Sequence, residues 1–149
     1  MSEIQNLVGY AIQKIQEVKN VYQRFSRKTQ WIGMSKMLHS MLDMEKEHEK
    51  VLLALHQRGN LGELFSAASG PCSLPGDFFQ EIHFVDNMNF IDFLSMVILQ
   101  QEEFAKLFTN LAACTGDGEI GHLFTSLSED ARKQRLWALD RYELEILTL

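Results

Sequence analysis

Glu45 and His48 stand three residues apart in the stretch MLDMEKEHEKVLLAL. On a helix, side chains at i and i+3 share a face. A carboxylate oxygen and an imidazole nitrogen are then offered to one point, the mixed donor set that divalent transition metals accept. Glu103 is of the type to be a third ligand, with Gln100 and Gln134 as weaker oxygen donors. Such a set suits a single divalent ion, Fe, Zn or Mn. It equally suits a metal-free network, because a buried carboxylate must be paired, protonated or metal-bound. Both readings stay open, and no residue is assigned a catalytic role.

The remaining chemistry-bearing residues carry less. Cys72 and Cys114 lie far apart and neither belongs to a C-x-x-C pair, so they read as free, buried thiols. His39, His56, His83 and His122 fall off the helical seams or in the central segment and read as surface residues. Met34, Met37, Met41 and Met44 follow helical spacing and read as core filling.

Four helices must position these side chains. The first is expected from Ser2 to about Lys28, opened by a capping box at Ser2 and Gln5. Its apolar seam is Ile4, Val8, Ala11, Ile15, Val18, Tyr22 and Phe25, in alternating steps of four and three that no strand could use. After a link near Thr29, a second seam runs Met34, Leu38, Met41, Glu45, His48, Leu52 and Leu55 and stops at Gly59-Asn60. The third helix is expected from an Asn89 cap to Cys114, with Phe93, Val97, Gln100, Phe104, Leu107 and Leu111 inward. Gly116-Asp117-Gly118 breaks the chain, and the fourth seam is Ile120, Phe124, Leu127, Ala131, Gln134 and Ala138.

Short links make helices one and two, and three and four, antiparallel pairs. The segment at about 59–88 carries Gly62, Gly70, Pro71, Pro75 and Gly76 and is long enough to run back along the molecule. The expected fold is an all-α four-helix bundle, two antiparallel hairpins joined by one long crossover, forming a single domain over 1–149. Ile15, Glu45, Gln100 and Ala131 then lie at the same level. Phe78, Phe79 and Phe84 are expected to dock the crossover, and Trp31 and Trp137 to pack near helix ends.

The order of these helical words, with the ExxH at the centre of the second, resembles the rubrerythrin branch of the ferritin-like superfamily over essentially the whole chain. AIQKIQEVKNVYQRF, MLDMEKEHEKVLLAL, QQEEFAKLFTNLA and HLFTSLSEDARKQ look like its four helices in turn. The resemblance implies metal ligands at Glu45 and His48. It places the first-helix ligand position on Ile15, the third-helix pair on Gln100 and Glu103, and the fourth-helix pair on Ala131 and Gln134. With those substitutions a standard di-iron site is not expected, and a remnant single-ion centre is. An iron-dependent oxidoreductase acting on peroxide or dioxygen, supplied by an external electron donor, is the enzymatic alternative. A metal-free oligomerisation or partner-binding module is the third.

Composition sets outer limits. Fourteen Lys and Arg against twenty Asp and Glu give a net charge of −6, the wrong sign for a phosphate-backbone binder, so nucleic acid is not an expected partner. No apolar run approaches the length of a bilayer span, and the N-terminal residues lack the apolar core of a signal peptide, which points to the cytoplasm and away from membranes. The apolar end of helix four, Tyr142, Leu144, Ile146, Leu147 and Leu149, favours a homo-oligomer, a dimer first.

Overall fold

The computed structural model describes residues 3–28, 33–58, 84–85, 87–116 and 118–149. Among them are four α-helices and no strand: α1, Glu3–Phe25; α2, Ser35–His56; α3, Phe90–Thr115; and α4, Glu119–Leu147. The chain divides into two compact units, Met1–Ser73 and Leu74–Leu149. Each holds one helical hairpin.

In the first hairpin, α1 and α2 run antiparallel. Gln5, at the start of α1, donates from Nε2 to the carbonyl of His56 at the end of α2, at 2.7 Å. Further along, Lys19 Nζ reaches Glu49 Oε1 at 2.6 Å. All seven expected seam residues of α1 are buried, as are all seven of α2. Ser2, half of the expected capping box, lies outside the described residues, and the Gln5 amide caps the far end of the neighbouring helix. α1 ends at Phe25, slightly before the expected Lys28. The last turn tightens there, with Ser26 Oγ donating to the Gln23 carbonyl at 2.9 Å. α2 enters from Gly33, whose φ of 92° is open to glycine without the usual steric cost. Gly59 and Asn60, its expected stop, and Trp31 lie outside the described residues.

The second hairpin, α3 with α4, is also antiparallel. Asn89 caps α3 as its sequence implies, accepting from the Asp92 amide at 2.8 Å. Near the other end of the pairing, Arg141 lies over the Phe90 ring at 5.6 Å. At the tight turn Gly116 takes φ 77°. Gly121 sits so close to the Gly116 carbonyl that a Cβ there would strike the oxygen. Every expected seam residue of the hairpin is buried except Ile120, which is half-buried beside the turn. Phe84 packs on Phe93 of α3 with ring centroids 6.2 Å apart, while Phe78 and Phe79 lie outside the described residues.

One sequence expectation is corrected. Cys114 is not a free thiol but disulfide-bonded, at 5% exposure near the end of α3. Chain separation says nothing about such a bond, because its geometry requires closeness in space only. Cys72 lies outside the described residues.

Candidate metal centre

α2 carries its polar pair in the middle of an apolar face. Glu45 is 1% exposed and His48 4% exposed, flanked along the seam by the fully buried Met41 and Leu52. The apolar steps on either side hold the inward face in register, so the carboxylate and imidazole are carried into the interior together. His48 Nδ1 and Glu45 Oε2 are 3.7 Å apart. That separation is too long for a direct hydrogen bond between the two. It matches the bite of a shared ion: at metal–ligand distances of about 2.1 Å, donors that far apart subtend roughly 120° at the metal.

Glu103 stands differently. Its side chain is 25% exposed and lies 3.5 Å from Lys106 Nζ, one turn along α3. Among the described residues, no group of three or more His, Cys, Asp and Glu side chains is placed to hold a metal ion. A two-ion carboxylate centre draws on at least four acidic ligands. The donor set formed by Glu45 and His48 does not fit one.

Gln100 and Gln134 belong to the second hairpin, where the antiparallel register brings α3 and α4 together at similar height. They are 5% and 0% exposed. Gln100 Oε1 has no hydrogen-bond partner among the described residues, a state that costs roughly 1–3 kcal/mol when the oxygen is buried. The positions read from the resemblance as apolar replacements, Ile15 and Ala131, are 0% and 1% exposed. His39 and His122 are exposed and His56 is half-buried; His83 lies outside the described residues. Met34 and Met41 are core residues, with Met37, Met44 and Trp137 half-buried.

The first hairpin also has an ion pair between its two helices, which the seam pattern could not reveal. Glu49 lies one residue beyond the inward line and accepts from Lys19 across the hairpin. The Lys19 hydrogen bond lowers the Glu49 pKa below its ordinary value; burial works against this, and a Gln16 hydrogen bond and the Lys19 charge add to it. This pair ties α1 to α2 and leaves Glu45 and His48 as the inward-facing polar residues of α2. Compared with family models, curated proteins and solved structures, the chain has no match in any of the three.

Proposed function

We propose that this chain is a ferritin-like, rubrerythrin-related helical protein that binds a single divalent transition-metal ion through Glu45 Oε2 and His48 Nδ1. The observation that carries the reading is the pair's geometry: both groups nine-tenths or more buried, on one turn, 3.7 Å apart. Two antiparallel hairpins and the ExxH at mid-helix support the family reading. With two protein ligands, the ion keeps open positions for water, the arrangement of a site that exchanges ligands rather than a closed structural one. An imidazole binds a metal ion in its neutral form, so the carboxylate is the group that would offset part of the ion's charge.

The test is cobalt(II) and zinc(II) titration of chelator-treated protein, followed by visible absorption and calorimetry. One ion per chain is expected, with affinity reduced tenfold or more in His48→Ala and in Glu45→Gln and unchanged in His56→Ala. Loss of metal equally from His48→Ala and His56→Ala, or no binding by the parent, overturns the reading.

A second reading, self-association, rests on a separate observation. The Arg141–Phe90 contact marks where α3 begins, so the end of α4 outruns its partner helix within the hairpin. There Leu144, Ile146 and Leu147 are 51%, 43% and 82% exposed. A twofold dimer would cover this patch with its own copy.

A further inference from the structure

A groove of about 720 Å³ runs along the second hairpin, lined by Glu102, Ala105, Lys106 and Thr109 from α3 and by Arg132 and Arg135 from α4. In a chain with excess acid, its cations are arranged unusually. Among the described residues neither arginine has a carboxylate partner, whereas Arg141, two turns on, pairs with Glu145 at 2.9 Å. Arg135 Nε is buried and has no hydrogen-bond partner among the described residues. Among the described residues, Arg132 Nη2 donates only to a hydroxyl, Thr109 Oγ1, at 3.3 Å. Lys106 is shared at the rim with Glu103, at 3.5 Å.

Proton counting shows how Arg132 is held. Ser128 Oγ donates its one proton to the Ala105 carbonyl, at 3.0 Å. In the 2.8 Å contact between Thr109 and Ser128, the proton must therefore come from Thr109. Thr109 has then spent its donor and turns a lone pair toward Arg132. The hydroxyl chain, rooted at the buried Ser128 and ending at the exposed Thr109, holds one N–H of the exposed Arg132 and leaves its remaining N–H groups directed elsewhere.

We propose that this groove binds the phosphoryl group of a small, soluble phosphate monoester. Two guanidinium groups one turn apart offer more donors than a carboxylate's two oxygens accept, and a phosphoryl group takes planar forks from both. Lys106 adds a point charge at the rim, and the small Ala105 leaves room for the ester's organic body. A net charge of −6 works against an anionic membrane surface or a polyphosphate strand, but not against one phosphate held at short range. The groove lies on the other hairpin from Glu45 and His48, and the proposal does not depend on the metal reading.

Phenyl phosphate is the probe, titrated by calorimetry and by amide chemical-shift changes, with benzoate as the carboxylate control. Saturable one-to-one binding is expected, tighter than benzoate and weakening with added salt. Arg132→Gln and Arg135→Gln each weaken it about tenfold or more. Lys133→Gln, an exposed neighbour outside the groove, leaves it within about twofold. Thr109→Val, with helical content unchanged, weakens it by loosening Arg132. No saturable binding at millimolar phenyl phosphate, benzoate binding as tightly, or an equal loss in Lys133→Gln overturns the proposal.

Discussion

Glu49 links the stability of the fold to pH. Its lowered pKa, caused first by the Lys19 hydrogen bond, means the native state holds the carboxylate more strongly than the unfolded chain does. The stabilisation is therefore fully present above the unfolded glutamate pKa of about 4.3 and is lost as pH falls through the lowered native value. Replacing Glu49 with Gln should cost about 1 kcal/mol at neutral pH, in line with ion pairs of limited exposure. Urea unfolding of parent and variant should show a gap at pH 7 that closes well below about pH 4. A gap independent of pH would mean that the pair acts through packing and not charge.

At the scale of elements, the two ends of α3 are set by backbone chemistry and not by its apolar seam. Asn89 supplies the acceptor that the first turn of α3 lacks, and Asn89→Ala should cost about 1 kcal/mol. Gly121 is a harder constraint. A methyl there meets a backbone carbonyl rather than the end of a flexible side chain, so the turn between α3 and α4 must open to admit it. Gly121→Ala is expected to cost about 2 kcal/mol or more, well beyond the cap substitution. Gly118, where an added Cβ meets nothing within 4 Å, should accept alanine with a much smaller loss. Chemical denaturation of the three variants gives the order, and a Gly121→Ala protein as stable as Gly118→Ala would mean that the close approach is not kept in solution.

For the molecule as a whole, the overhanging end of α4 gives the association reading its test. Sedimentation velocity across a concentration series should show a monomer–dimer equilibrium, shifted toward monomer by Leu144→Glu with Leu147→Glu. An association unaffected by those changes would place the contact elsewhere. Among the described residues no helix is long and apolar enough to cross a membrane.

The inward lines of all four helices were legible in the residues themselves, down to the burial of Glu45, His48, Gln100 and Gln134 within otherwise apolar seams. Helical periodicity is local: each residue advances about 100° around the axis, so a run of four-and-three steps declares its buried face without reference to any neighbour. The Asn89 cap and the Gly116 turn are local for the same reason. Partners across a hairpin are another matter, because they depend on how far one helix slides and rotates against the next. That decided the reach of Gln5 to His56, the pairing of Lys19 with Glu49 and the relay from Arg132 through Thr109 and Ser128 to Ala105. It also brought Arg132 and Arg135, which lie off the inward seam of α4, into one groove with Lys106. The bond at Cys114 belongs with them, since a disulfide is set by distance in space, which the spacing of cysteines along the chain does not contain.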